Sequence, residues 1–285
     1  MKIFTDSSCD LPKEYYSENR ITLFPFHVHL NGQDYEDVFG IDARQIYEAM
    51  EQGARAKTSQ LSPEVFLTHF GQLGKENEEG IYISISSEFS GTYNTAVMIH
   101  KQLLESDPDL KLTIIDSKCA SLGQGLLVKK AVALRDEGIP YEKIIEAIIE
   151  MSESMEHLFT VGNLDYLARG GRLSRTSAFF GGLLNIKPIL NIENGKLVPL
   201  EKIRGHRKAI SRMIDIMEQR GGDFSNKIIG LSHSNDEKLL SDVKQAIENR
   251  FLPKGFDITQ IGSAIGSHVG SGTVAIFFTN ADYQD

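Results

Sequence analysis

The sequence predicts a two-domain α/β protein, with a parallel-sheet N-terminal domain over residues 1–157 and an α+β C-terminal domain over residues 158–285. Three observations predict it. In the first half, short apolar, β-rich runs alternate with amphipathic stretches of helix length, the pattern of βαβ units. After about residue 160 that rhythm gives way to a run rich in Gly, Arg and Ser, followed by a hairpin signal. The length of 285 residues also exceeds what one average core uses.

The first strand is read at Lys2 to Phe4, and further members of the parallel sheet at Ile81 to Ile85, Leu112 to Ile115 and Phe159 to Gly162. Ala96, Ile99, Leu103 and Leu104 recur at helical spacing between Gly91 and Glu105, and Leu122, Leu126, Ala131 and Leu134 do so in the next segment. Both read as crossover helices. Ile144, Ile145, Ile148 and Ile149 mark another helix, set off by Gly138-Ile139-Pro140. In the second half, Asn194-Gly195 stands between the runs Ile189 to Ile192 and Lys196 to Glu201, a hairpin signature. Helices near Lys208 to Gln219 and Glu237 to Asn249, with strands near Ile228 to Ser232, Ile258 to Ile261 and Val274 to Phe278, complete the second unit. The stretch from Ile258 to Ala281 carries no formal charge, but its glycines and hydroxyls read as strand, glycine loop, strand and not as a lipid-facing helix. No repeat and no long linker is visible, so the two halves are expected to pack across a cleft, a common place for a ligand.

Composition narrows the function. With 41% hydrophobic and 24% charged residues the chain is a folded globular protein. A net charge of -9 argues against nucleic acid and against an anionic membrane as partners. The start, MKIFTDSSCD, meets Asp6 before an apolar signal core forms, and Cys9 and Cys119 make neither a disulfide framework nor a zinc site. A cytoplasmic protein without metal is the expectation.

Five patches have the residue types for chemistry. Thr5-Asp6-Ser7-Ser8 follows the first strand, where loops gather around ligands, although a turn and helix cap explain it at least as well. Lys57-Thr58-Ser59-Gln60 lies upstream of a cap, N1 proline and acidic first turn at Ser62-Pro63-Glu64, so capping does not account for Thr58; a solvated loop is the equal alternative. Ser86 to Tyr93 puts Ser90 at or just before a helix N-terminus, which suits an anion or an N-cap. Arg169, Arg172, Arg175, Lys202, Arg204, His206, Arg207 and Lys208 form two cationic clusters, of which solvated faces explain many members. His268 sits within G-S-H-V-G-S-G, as a structural histidine or a polar ligand. No GxxxxGK[ST], GxGxxG or G-x-S-x-G stands in the chain.

Taken together, TDSS, KTSQ, SSEFSGTY, Ile115-Asp116-Ser117, Leu167 with Gly170-Gly171-Arg172, Lys187-Pro188 and GSHVGSG resemble, in order and spacing, the DegV family over essentially the whole chain. Leu61, Cys9 and Ser271 depart from residues common in the family, but none removes a hydroxyl or cation that binding would need. The resemblance implies a DegV-like fold that holds its ligand in the interdomain cleft. It implies a long-chain fatty acid with its acyl chain in an apolar tunnel and its carboxylate at Thr58, Ser90 and His268. Arg204 and Arg172 would lie near the head group or face a partner. The partner implied is a separate ATP-binding fatty acid kinase subunit that makes an acyl phosphate for phospholipid synthesis, and no cofactor is implied. Phe26, Phe179, Phe180, Leu183, Leu184 and Ile186 are candidates for the tunnel wall, although such a run is more often simply core. Two rivals remain: a self-sufficient acyl hydrolase using Ser90 or Thr58 with His268, and a binder of a small polar metabolite.

Overall fold

The computed structural model describes residues 1–173 and 186–283. Its strands are β1 (Lys2–Asp6), β2 (Ile21–Phe24), β3 (His27–Leu30), β4 (Gln33–Glu36), β5 (Lys57–Ser59), β6 (Gly80–Ser84), β7 (Leu112–Asp116), β8 (Met155–Thr160), β9 (Ile186–Glu193), β10 (Lys196–Arg204), β11 (Ile228–Ser234), β12 (Gly255–Gln260) and β13 (Thr273–Thr279). The helices are α1 (Lys13–Glu18), α2 (Ala43–Glu51), α3 (Pro63–Glu76), α4 (Thr92–Ser106), α5 (Leu122–Asp136), α6 (Tyr141–Ser154), α7 (Leu164–Arg169), α8 (His206–Gly221), α9 (Glu237–Phe251) and α10 (Ser263–Val269).

A four-stranded parallel sheet runs in the order β2-β1-β6-β7. Alternation along its strands decides which core each residue joins. Ile3, Ile81 and Ile83 enter the cluster with Leu122, Leu126 and Val128 of α5, while Phe4 and Tyr82 enter an aromatic cluster with Phe66 and Phe70 of α3. A six-stranded mixed sheet runs β10-β9-β8-β13-β11-β12, with α8 and α9 covering one face through Met213, Met217, Leu239 and Val243. Its other face turns to α5, whose Leu122 and Leu126 reach Gly230 of β11. A small antiparallel sheet, β4-β3-β5, and α2 flank α10.

Three readings are corrected. The run Phe159 to Gly162 does not join the parallel sheet. Its strand is Met155–Thr160, antiparallel to β13 and β9 in the mixed sheet, and Ile21–Phe24 takes the edge of the parallel one. A short apolar run reports burial but not the sheet that buries it. Position 157, where the sequence divides the halves, accordingly falls inside β8. The stretch after Ile258 is strand, helix, strand: α10 replaces the glycine loop, with Gly262 as its N-cap. A Cβ on Gly266 would fall 2.7 Å from the Tyr47 hydroxyl, so tight packing against α2, not a loop, calls for that glycine. Lys57 to Ser59, finally, is a strand paired with β3 and not a solvated loop. The Asn194-Gly195 turn forms as read, with φ of +50° and +80° at its two residues.

Candidate functional site

Between the parallel sheet, the mixed sheet and α10 lies a cavity of about 190 Å³. Its wall is mostly apolar: Phe26, Ile85, Phe89 and Ala120 come from the first half of the chain, and Phe159, Ile192, Leu197, Ala275 and Phe277 from the mixed sheet. The β9–β10 hairpin is tied over it by a hydrogen bond of 2.8 Å from the Ser86 hydroxyl to the Gly195 carbonyl. Phe26 thus stands where the sequence expected it. Ile186 is half-buried at the start of β9 and is not part of the wall, and Phe179, Phe180, Leu183 and Leu184 lie outside the described residues.

Polar groups gather in one part of this wall. Thr58 on β5 and His268 on α10 come from positions 210 apart, and their Oγ1 and Nε2 atoms lie 2.8 Å from each other. Gly170 makes room for the imidazole, since a Cβ there would collide with His268 Nδ1. The half-buried Arg172 donates from Nε to the Phe89 carbonyl at 3.0 Å and also to the Gly170 carbonyl, which links the histidine side of the site to the loop of Ser90. Ser90 lies two residues before α4, its Oγ 2.9 Å from Thr92 Oγ1 and accepting from the Thr92 amide at 3.3 Å. Thr58, Ser90, Arg172 and His268 therefore line one cavity.

Electrostatics favour an anion there. Burial, reinforced by the Arg172 charge, lowers the His268 imidazole to about 4, so at neutral pH it is uncharged and offers one donor and one acceptor. Burial also lowers the Arg172 guanidinium from its ordinary value, but arginine stays cationic. Next to this cluster a second hollow of about 320 Å³ shares Thr58, Arg172 and His268 and adds the exposed Arg55, Lys57 and Arg169. The buried chain end of a ligand would face hydrocarbon, and its anionic end would face cations.

Arg204 stands apart, exposed at the end of β10 opposite Ile186 and outside the wall of the cavity. Lys202, His206, Arg207 and Lys208 are likewise exposed, and Arg175 lies outside the described residues. The TDSS segment is chiefly structural. Asp6 is buried and accepts from the Ile85 amide and the Tyr82 hydroxyl, each at 2.9 Å, while Ser8 donates to Gln124 at 2.8 Å and alone of the four touches the cavity. Two buried aspartates hold α10 in place: Asp10 accepts from the Gly262 amide at 2.9 Å and Asp37 from the Ser263 amide at 3.2 Å. Sequence reasoning missed both, and missed His157 and Ser121 in the wall, whereas Gln60 of the Lys57–Gln60 patch does line it.

The geometry bears on the hydrolase reading. Among the described residues Ser90 bonds with Thr92 and forms no dyad with His268, whereas Thr58 does stand at hydroxyl–imidazole distance from His268, with no carboxylate on the buried His268 Nδ1 to orient the ring. Among the described residues, no group of three His, Cys, Asp or Glu side chains is placed to hold a metal, and no helix is long and apolar enough to cross a membrane.

The model of the DegV family, described as a family of uncharacterised proteins, matches residues 1–281. The chain belongs to the DegV family. This DegV protein is 36% identical over 276 residues to a DegV domain-containing protein of Caldanaerobacter subterraneus subsp. tengcongensis, with 97% of each chain covered. Its structure is similar to that of a DegV family protein from Thermus thermophilus described by its fatty acid binding, with a TM-score of 0.90, 28% identity and coverage of 98% of this chain and 99% of that one. It is also similar to DegV of Bacillus subtilis, described as a fatty acid binding protein, with a TM-score of 0.85, 30% identity and 97% of each chain covered.

Proposed function

We propose that this DegV protein binds a long-chain fatty acid. The acyl chain lies in the cavity between the sheets, and Thr58, Ser90 and His268, with Arg172 beside them, hold the carboxylate. The observation that carries this reading is the wall itself, apolar over most of its area, with Thr58, Ser90, Arg172 and His268 gathered in one part of it. The fatty acid binding described for the relatives from Thermus thermophilus and Bacillus subtilis supports it. Burial at roughly 0.8 kcal/mol per CH₂ supplies about 11 kcal/mol gross for fourteen methylenes. Chain ordering and carboxylate desolvation subtract from that, and the hydroxyls and the Arg172 charge offset part of the subtraction. The unit 1–157 then brings Thr58 and Ser90 to the carboxylate, and the unit 158–285 closes the tunnel and adds His268 and Arg172.

The bound acid is presented to a separate ATP-dependent kinase subunit in the cytoplasm. A carboxylate oxygen attacks the γ-phosphorus of ATP, the bond to the β-phosphate oxygen breaks, and acyl phosphate and ADP result. This chain contributes position and charge, and no cofactor of its own. The hollow beside Thr58 and His268, with Arg55, Lys57 and Arg169, supports an approach of phosphate from that side. Arg204, exposed and away from the cavity, is assigned to the partner surface.

Native mass spectrometry of the purified protein, followed by denaturation and extraction, tests the binding. One fatty acid per chain is expected; an empty protein that also fails to take up palmitate or oleate overturns the reading. For the partnership, Arg204→Ala should slow phosphorylation of the bound acid while leaving fatty acid retention unchanged, and equal loss of both refutes that assignment.

A further inference from the structure

Strand register places one row of side chains at the end of the cavity away from its polar cluster. Thr273, Ala275 and Phe277 line the cavity from one face of β13, and the Thr273 hydroxyl reaches the carbonyls of Val269 and Gly270, beside His268 on α10. Phe277 stands four strand steps beyond Thr273, a span of about 13 Å. It pairs with His157 of β8, and Ile192 of β9 pairs with Leu197 of β10. The register of Leu158 against Asn191 sets Ile192 level with His157. All four residues line the cavity, whereas Thr279 and Met155, paired one row further on, do not.

This row is held firmly at one end and loosely at the other. Phe277 and His157 are each 2% exposed, and Gly123 of α5 packs so closely on them that a Cβ there would lie 2.4 Å from His157 Nε2 and 3.1 Å from the Phe277 ring. Ile192 and Leu197 are half-buried on the outer part of the β9–β10 hairpin. Among the described residues β9 pairs with β8 only at Leu190 and Asn191, so beyond Asn191 the hairpin runs on as a two-stranded ribbon, which is weak without further support. A register shift between Pro199 and Glu201 lies opposite Leu190 and Ile189, where the ribbon leaves the sheet, and such irregularities bend a strand. The tip is tied by the bond from Ser86 to the Gly195 carbonyl and by the exposed pair of Lys196 with Glu88 at 3.5 Å, which adds little.

We propose that the outer part of this hairpin is the adjustable end wall of the tunnel: Ile192 and Leu197 set the longest acyl chain admitted, and Ser86 is the positioning residue that holds them in place. The inference rests on the fatty-acid reading above. Each methylene that still finds room adds affinity, about fourfold, and the first that meets the wall must displace Leu197 or the ribbon. The test is competition among saturated fatty acids of graded chain length for the full-length, lipid-stripped protein, read by native mass spectrometry. Uptake should rise with length and then fall by about tenfold past one limit. Leu197→Ala, which removes wall, should move that limit to longer acids, and Leu197→Phe should move it to shorter ones. Ser86→Ala should leave the limit in place but reduce the fall beyond it to about threefold, an effect that a merely structural role would not confine to the longest acids. A wild type without a limit, or a folded Leu197 variant whose limit does not move in its stated direction, overturns the inference while leaving fatty acid binding intact. If one Leu197 variant does not fold, the other decides. Failure of the wild type to take up any acid overturns the fatty-acid reading instead.

Discussion

On β13, Val274, Ile276 and Phe278 point into the core under α8 and α9, whereas Thr273, Ala275 and Phe277 on the opposite face border the cavity. One strand thus serves two ends with nearly the same residue chemistry. The even-numbered face is packed solid and contributes stability; the odd-numbered face is left short of side-chain volume, notably at Ala275, and contributes a place to bind. Apolar composition does not distinguish a core from a ligand tunnel, but the volume left unfilled does.

Substitutions on adjacent positions of this strand break the comparison most directly. Ile276→Ala removes volume from the solid face and should cost about 2–5 kcal/mol in a urea melt, with the stoichiometry of bound fatty acid unchanged in the folded fraction. A loss below about 1 kcal/mol would mean that this face is not closed. Ala275→Leu does the reverse. It fills the cavity, should weaken fatty acid uptake by about a hundredfold, and should leave stability within about 1 kcal/mol of the wild type. Full-strength uptake by Ala275→Leu would place the ligand elsewhere.

Smaller effects sharpen the contrast between the polar and apolar parts of the cavity. Arg172→Met should weaken a fatty acid by about tenfold in calorimetry but leave the matching fatty alcohol unchanged, because only the carboxylate uses the charge. Equal losses for both would make Arg172 a structural residue. The histidines give the mildest signal. Burial holds His157 and His268 at about 4 in the folded chain, below the ordinary 6.5, so the unfolded chain takes up more protons between those values. In that window the two residues make stability rise with pH and fall on acidification. His157→Phe should therefore reduce the slope of stability against pH there by up to one proton, and an unchanged slope would show that His157 does not titrate on unfolding.

What the sequence disclosed follows from the same physics. The strands β1, β6 and β7 were legible as short apolar, β-rich runs, and the helices α4, α5 and α6 by the helical spacing of their apolar residues. The Asn194-Gly195 turn was legible because few other dipeptides take up that backbone. Thr58, Ser90, Arg172 and His268 were singled out by the motifs of the family and not by periodicity, and the structure brings all four to one cavity. The allegiance of β8 was hidden, since a short apolar run does not encode its neighbour. Helix α10 was hidden because its glycines answer to Tyr47 and to the surrounding turns, and so obscure the spacing of Ala264, Ile265 and Val269. His157 left no trace, because a lone histidine in M-E-H-L-F-T has no partner at a fixed distance in sequence.

Helix α5 has a consequence for how the molecule comes apart. Its residues from Leu122 to Val128 are all buried, with Ile3, Ile81 and Ile83 of the parallel sheet in the same core and Gly230 and Phe277 of the mixed sheet against it. Neither sheet can shed this helix without exposing apolar surface on the other, so the two halves share one free energy of unfolding. A single calorimetric transition is expected where two sheets would suggest two, and a chain cut near residue 157 should yield two fragments that aggregate alone and recover their order only when mixed.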